Sequence, residues 1–326
     1  MCQSFGRRVS DMNKVTEIVT HDGEFHADDV FAVAVLKMVF PDASVFRTRN
    51  PEMTKPKSNR VIVDVGGQFD KEKNAFDHHQ KVGSPEPRES GIKYSGFGLV
   101  WKTYGHCYLF NVSSFSKSLH NITSVQTNYI WEAIEKSLVS MIDATDNGQK
   151  LTTTTKEFGE IYCVDIIDHV SNYNLAYFEN QNKESQRRAF EMAVEFAEQV
   201  LFRLIVKSYG IVLAEDTVKA ARDGSPLLVL ENGAPWMNIV VKDMPEVLFV
   251  AYPVEDRTWM LQAVPPELGS FEKRKGLPEH WAGLRNDELK KVTRVDDAIF
   301  CHPNLFICGA ETKEGILKLA QLAIGE

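Results

Sequence analysis

Cysteine is scarce in this chain: Cys2, Cys107, Cys163, Cys301 and Cys308 are odd in number and include no CxxC pair. That fits a reducing compartment and points away from a disulfide framework or a structural zinc site. No apolar run approaches the about 20 residues that a membrane span requires, so no membrane partner is expected. An excess of basic charge is also missing, with 37 Lys and Arg against 45 Asp and Glu and a formal net charge of −8. A protein that coats nucleic acid non-specifically is therefore disfavoured, and any polyanionic partner must be met by local Lys and Arg. Residues 1–14 lack the apolar stretch of a secretory signal; Arg7, Arg8 and Lys14 against the single acid Asp11 leave mitochondrial targeting as a reading. At 326 residues, 43% hydrophobic and 25% charged, the chain has ordinary globular composition and length for about two domains.

Against this background one stretch stands out, Phe76-Asp77-His78-His79-Gln80, read together with VIVDVGG at residues 61–67. Residues 61–63 are apolar and β-branched, and the run breaks at Asp64 and then at Gly66-Gly67. This is the pattern of a buried strand that delivers a carboxylate at its C-terminal end, where ligands sit in open α/β sheets. A carboxylate beside two adjacent imidazoles suits Mn²⁺, Fe²⁺ or Zn²⁺ better than Ca²⁺. Taken alone, a DHH tripeptide is more simply a turn with two exposed histidines.

Residues 16–20 read as a first strand, followed by HDGEFHADD at 21–29 and an apolar helix over 30–40 with Asp28 and Asp29 in its first turn. Capping and dipole complementarity account for the two acids but leave His21 and His26 unexplained. A strand at 44–48 precedes the VIVD strand, so strand, helix, strand, strand forms a βαβ series and implies a parallel sheet. The acid- and histidine-bearing loops would then leave the same sheet edge. Residues 83–89 form a polar, Pro-rich loop, and Tyr94 to Gly98 opens an amphipathic helix through Tyr104. The Ser-, Asn- and Thr-rich residues 106–128 read as a long loop or insertion. A helix over 129–142 runs into Asp143-Ala144-Thr145-Asp146-Asn147-Gly148, which sets two carboxylates on one face of a helix end that already carries partial negative charge. That is unfavourable unless a cation compensates. Asp165, Asp168 and His169 show no strand-then-break pattern and read as structural.

A long amphipathic helix over 184–206 links to a region of different character. Short strands are expected at 227–230, 247–252, 259–264, 298–301 and 305–308, the second and third joined as a hairpin through residues 255–257, with helices at 214–223 and 313–324. Residues 270–294 hold seven Lys or Arg against four acids and include Trp281. In an acidic protein such a stretch is a candidate phosphate and base contact, and a solvated loop is its plainer reading.

The ordered series HDGEFHADD, VIVDVGG, FDHHQ, IDATDNG, LQAVP, SFEKRKGLPEHWAGLR and FICGAETKEG, from about Thr16 to Ala320, resembles the melanocyte-proliferating-gene protein family. That family looks like a branch of the DHH phosphoesterase superfamily. The resemblance implies an α/β fold with an N-terminal parallel-sheet metal domain (14–185) and a smaller α+β substrate domain (186–326), and an active site in the cleft between them. It further implies a metal-dependent 3′-to-5′ exoribonuclease found in nucleus, nucleolus and mitochondrion, with the cytoplasm as an alternative to the last. Matched to the superfamily's motifs, His21, His26, Asp28, Asp64, His78 and Asp143 are the expected metal ligands, with His26 standing where an acid is usual and Cys308 where a Gly-Gly pair is. Two divalent ions, manganese first and magnesium as the alternative, are expected to share Asp64. Asp77, His79 and Asp29 are the expected catalytic residues, His79 contacting phosphate or protonating the leaving oxygen. Arg274 and Arg285 are expected to clamp phosphate, and Trp281 to stack on a base. RNA is the expected partner, with homo-oligomerisation open. The alternatives are hydrolysis of a small phosphorylated or dinucleotide substrate, and a metal-stabilised binding protein without turnover.

Overall fold

The structure is a computed structural model and describes residues 15–80, 83–116, 119, 122–151, 164–254 and 258–326. The basic segment 1–14, the threonine run at 152–155 and the hairpin turn at 255–257 lie outside the described residues. The fold is mixed α/β with two five-stranded sheets. It forms two compact units that divide between Tyr209 and Gly210, not at the expected 185/186 boundary.

In the first unit the sheet order is β2-β1-β3-β5-β4. Strands β1 (Glu17–Thr20), β2 (Ser44–Arg47), β3 (Arg60–Val63) and β5 (Ala75–Phe76) run parallel, and the short β4 (Phe69–Asp70) pairs antiparallel at the edge. β3 is buried along its whole length, which is why it reads as an unbroken apolar run and not an alternating one. Its first residue, Arg60, is itself buried, bonded through Nε to Glu17 at 2.7 Å and through Nη1 to the Met53 carbonyl at 2.7 Å. That interaction ties the β2–β3 connection to the start of the strand.

Helix α1 (Ala27–Val39) is apolar nearly all round and has no exposure from Val30 to Leu36, as a helix enclosed on all sides must be. It packs against α2 (Gly96–Phe115), with Phe31 and Phe97 ring centroids 5.4 Å apart and Phe40 meeting Tyr104 edge-on at 5.3 Å. The expected loop at 106–128 is corrected here. α2 continues through its Ser- and Asn-containing end because Cys107, Tyr108, Leu109 and Val112 line an inward face. α3 (Ser124–Ile134) then starts on a reciprocal cap in which Thr123 Oγ1 accepts from Gln126 N and Gln126 Oε1 accepts from Thr123 N. α4 (Ser140–Asp146) follows through a π-helical turn, and α5 (Ile166–Ser171) begins on Asp165.

Helix α6 (Lys183–Ala220) absorbs both the helix expected at 184–206 and most of that expected at 214–223, since nothing between them breaks a helix. Gly210 sits in its middle without a neighbouring atom within 4 Å of where a Cβ would stand. The second unit has sheet order β6-β7-β8-β10-β9, built from β6 (Leu227–Val229), β7 (Phe249–Pro253), β8 (Trp259–Ala263), β9 (Ala298–Cys301) and β10 (Ile307–Ala310). β7 and β8 pair antiparallel, as the hairpin reading requires, whereas β6 joins β7 in parallel. Helices α7 (Met237–Asp243), α8 (Asn286–Thr293) and α9 (Lys313–Gly325) complete it. Cys301 and Cys308 face one another across β9 and β10 as buried free thiols. Cys107 is disulfide-bonded. Among the described residues no helix is long and apolar enough to cross a membrane.

Two glycines give opposite expectations. A Cβ at Gly98 would overlap the buried Asp143 carboxylate, so Gly98→Ala should cost about 1–3 kcal/mol. Gly210→Ala meets open space and should add about 0.5–1 kcal/mol through helix propensity. Urea unfolding of the two variants beside the parent checks both signs.

Candidate metal centre

Adjacent parallel strands release their C-terminal residues at one sheet edge, and three such strands build this site. β1 ends at Thr20 and His21 follows; β3 ends at Val63 and Asp64 follows; β5 ends at Phe76 and Asp77-His78-His79 follow. Asp64 adopts the left-handed region, with φ 55°, which ends the strand and turns the side chain along the sheet edge. Asp is among the few residues that tolerate this conformation. The α1 N-terminus adds His26, Asp28 and Asp29, and the last turn of α4 adds Asp146.

The side chains converge. Asp64 Oδ2 lies 3.3 Å from His21 Nε2, and Asp64 Oδ1 lies 3.3 Å from His78 Nε2. His78 Nε2 is also 3.2 Å from Asp146 Oδ2, and His21 Nε2 is 3.4 Å from Asp29 Oδ2. Three groups each bring their donor atoms within 4.8 Å of one another: His21, His26 and Asp64; Asp64, His78 and His79; Asp28, His78 and Asp146. Both Asp28 oxygens, Asp64 Oδ1, Asp29 Oδ2 and His78 Nε2 are buried without a hydrogen bond, so the short contacts among them are proximity without alignment. A divalent ion with ligands at about 2.0–2.2 Å spaces neighbouring donors roughly 2.9–3.6 Å apart, and the four paired separations above fall in that window. Mixed imidazole and carboxylate donors fit a first-row divalent ion.

The electrostatics agree. Burial, reinforced by the fields of Asp64, Asp146 and Asp29, drives the Asp28 carboxyl well above its usual range. Burial also raises Asp29 to about 7 against the opposing pull of His21. Asp64 goes the other way: burial pushes it up, but the His21 and His78 imidazoles prevail and hold it at about 2. Asp146 is raised by burial and by Asp64, partly offset by His78. So many crowded carboxylates cannot all ionise without a compensating cation.

Asp77 and His79 form a hydrogen-bonded pair at the cluster's edge, with His79 Nδ1 3.5 Å from Asp64 Oδ1. Asp77 Oδ2 accepts from Gly67 N at 2.5 Å, and Asp77 Oδ1 accepts from His79 N at 3.0 Å and contacts His79 Nδ1 at 2.8 Å. The His79 side chain is 63% exposed, and its bond to Asp77 raises its pKa to about 8. Asp29 caps α1, its Oδ1 accepting from His26 N at 2.8 Å, and so does what the plainer reading asks of it besides touching His21.

Asp143 is not in this cluster. It is fully buried, and its carboxylate accepts from Arg88 Nη2 at 2.7 Å, Ser95 Oγ at 2.5 Å and Gly98 N at 3.0 Å. The cation that answers its charge is Arg88, which also bonds Glu135 Oε1 at 2.5 Å. Asp146, one turn later, is the carboxylate that reaches His78. The helix-end pair Asp143 and Asp146 signals a compensated charge, but only tertiary packing distinguishes which acid meets which cation. Arg88 and Ser95, read only as parts of a loop and a helix start, carried no signal for this contact.

Two second-unit expectations are corrected as well. Arg274 donates to the carbonyls of Met244, Val247 and Val241 at 2.7, 2.9 and 3.0 Å, closing the C-terminal end of α7. Trp281 is 1% exposed and belongs to the apolar core, which leaves no ring face for a base. Arg285 is exposed, its guanidinium 5.9 Å from the Phe300 ring centre. Asp165 and Asp168 form a capping box, the structural role read from the sequence.

A cavity of about 680 Å³ opens onto the cluster, lined by His21, His26, Asp28, Asp64, Asp146 and His79 together with Arg49 and the apolar Ile142 and Ile167. Fold and site together define a two-unit α/β protein with a histidine and aspartate centre at the C-terminal edge of a parallel sheet. The chain belongs to the MYG1_exonuc family, described as an uncharacterised protein family (UPF0160), which matches residues 17–324. A MYG1 protein of Saccharomyces cerevisiae is 30% identical over 94% of this chain and 95% of its own length. The Homo sapiens protein named MYG1 exonuclease is 28% identical over 95% of this chain and 86% of its own. A crystal structure of an uncharacterized protein from Helicobacter pylori G27 aligns with 96% of this chain and 100% of its own at 11% identity and a TM-score of 0.24, a likeness that carries no argument.

The two helix-end acids should separate by experiment. Asp146→Asn should weaken Mn²⁺ binding at least about tenfold, as loss of an ionised ligand does, with the melting temperature little changed. Asp143→Asn should cost about 2–4 kcal/mol of stability by breaking a buried charge pair, with metal content retained in the folded fraction. Equilibrium dialysis and thermal unfolding measure the two quantities.

Proposed function

We propose that this protein is a metal-dependent phosphodiester hydrolase of DHH-like architecture, acting on single-stranded RNA as a 3′-to-5′ exonuclease. The observation that carries the reading is the convergence of His21, Asp28, Asp64, His78 and Asp146, whose buried donor atoms largely lack protein partners. The name exonuclease borne by the human relative supports it. Asp64 belongs to two of the donor groups, so it is our candidate to be shared between two cations. His21 and His26 would complete one set and His78, with His79 in reach, the other, while Asp28 and Asp146 share His78 in a third group, with manganese as the first expectation and magnesium as the alternative. Such ions supply Lewis-acid polarisation of phosphoryl oxygen and a more acidic water.

The remaining work falls to the chain. Asp77 fixes the His79 ring through Nδ1, and Gly67 N fixes Asp77, so His79 Nε2 is left to face the cavity it lines. A proton held on that nitrogen is placed for delivery to the leaving oxygen. Asp29 bonds the helix start and abuts His21, and acts as a positioning residue for that ring. Ile142 and Ile167 offer apolar surface for sugar or base. In the second unit, Arg285 keeps an exposed guanidinium and remains our candidate for a phosphate contact.

Turnover of 5′-labelled single-stranded RNA, a dinucleotide and a mononucleotide monophosphate, each with Mn²⁺, with Mg²⁺ and after chelation, tests the proposal. RNA should shorten from its 3′ end only with metal present. Asp64→Asn should lose both metal and turnover, whereas His79→Ala should keep its metal and slow by about 10²–10⁴. Preference for the small substrates would replace the exonuclease assignment, and Asp64→Asn with full metal and full activity would overturn the site.

A further inference from the structure

Beside the acid-rich centre stands a single fixed cation. Among the described residues, Arg49 is the only Lys or Arg lining the cavity, where it faces Asp28, Asp64, Asp77 and Asp146. It lies just beyond β2, whose end is tied back by Thr48 N donating to the Thr20 carbonyl at 2.8 Å. Arg49 Nη1 donates to the carbonyl of Asp22 and to Asp22 Oδ1, the latter at 2.7 Å. Arg47 fastens the same loop from below, Nη2 donating to the Gly23 carbonyl at 2.6 Å. The loop that carries His21 is thus clasped to β2, and the Arg49 guanidinium is held at its rim.

The other terminal nitrogen points elsewhere. Arg49 Nη2 lies 3.3 Å from His21 Nδ1, but that ring nitrogen is also 3.0 Å from the Asp22 carbonyl. If His21 Nε2 is the ligand atom, the ring proton resides on Nδ1 and is donated to that carbonyl. Nδ1 then has no lone pair for Arg49, and among the described residues nothing else accepts from Nη2. A planar cation with one nitrogen anchored to Asp22 and the other without a carboxylate or carbonyl partner, beside a candidate metal centre, is suited to receive an anionic oxygen.

We infer that Arg49 is the substrate-phosphate clamp of this site, with Asp22 as its positioning residue. The inference rests on the hydrolase reading and adds to it the group that orients the phosphate. Four carboxylates line the cavity, so a phosphate enters only where cations outweigh them, and Arg49 is the permanent one. Its guanidinium grips an oxygen on the β2 side, leaving the His79 side free for the departing group.

A purely structural role is distinguishable because the Arg49–Asp22 pair is largely exposed, at 60% and 52% of the two side chains. Such a pair contributes little to stability. Calorimetric titration of the Mn²⁺-loaded protein with inorganic phosphate, alongside elemental analysis and thermal unfolding, makes the test. Arg49→Gln should weaken phosphate binding about 10–100-fold, the loss expected for a charge-assisted hydrogen bond, with metal content and melting temperature unchanged. Arg49→Lys should fall between, and Asp22→Asn should give a smaller loss in the same direction. Unchanged phosphate affinity in Arg49→Gln overturns the inference, as does a fall in its metal content, which would make Arg49 only a fastener of the His21 loop. Absence of phosphate binding in the parent protein also overturns it. Phosphate binding that depends on Arg49 in a protein that cleaves no phosphodiester would sink the hydrolase reading and leave the anion subsite standing.

Discussion

The placement of one carboxylate organises the first unit. Asp64 ends a strand buried along its whole length, in a left-handed conformation, and lies 3.3 Å from both His21 and His78. Parallel pairing puts β1 and β5 on either side of β3. The two histidine-bearing loops therefore reach the same carboxylate from opposite sides. The sheet buries its apolar strands against α1 and α2, and its C-terminal edge is where polar groups can gather. Gly96 lets α2 come close: a Cβ there would stand 3.1 Å from the Asp64 Cβ and 3.3 Å from Asp28 Oδ2.

A second polar network acts as the frame. Asp143 receives Arg88, Ser95 and the Gly98 amide, so a carboxylate from α4 caps the start of α2 in place of the usual N-cap side chain. Ser95 is the N-cap residue, yet its hydroxyl is directed to Asp143. Because α4 also carries Asp146, the contact that fixes the helix sets the acid that faces His78. The two carboxylates divide the labour. One is neutralised by protein donors and gives rigidity, and the other faces His78 in a group that could hold a metal ion.

The contrast in hydrogen bonding explains the division. Asp143 is saturated by hydrogen bonds, as a buried charge in a stable protein must be. Asp28 is equally buried and has none, an arrangement that folding alone does not favour. A buried carboxylate without hydrogen bonds at the sheet edge and a fully bonded one behind it separate chemistry from scaffolding more sharply than residue type does.

Residue order alone indicated three of the first sheet's strands, β1, β2 and β3, and the enclosed α1, because apolar periodicity and abrupt polar breaks record burial directly; the short β4 and β5 left no such run. It also carried the series of motifs by which the family is recognised. Long-range packing decided the rest. The 106–128 segment is mostly helical because its polar residues conceal an inward face of Tyr108, Leu109 and Val112, and burial outweighs composition. Trp281 and Arg274 lie in a basic stretch that resembles a substrate surface, yet one is core and the other closes a helix. Asp143 and Asp146 are indistinguishable as letters three apart at a helix end. Which of them meets Arg88 and which meets His78 depends on where α2 and the β5 loop stand in space, and local sequence does not encode that placement.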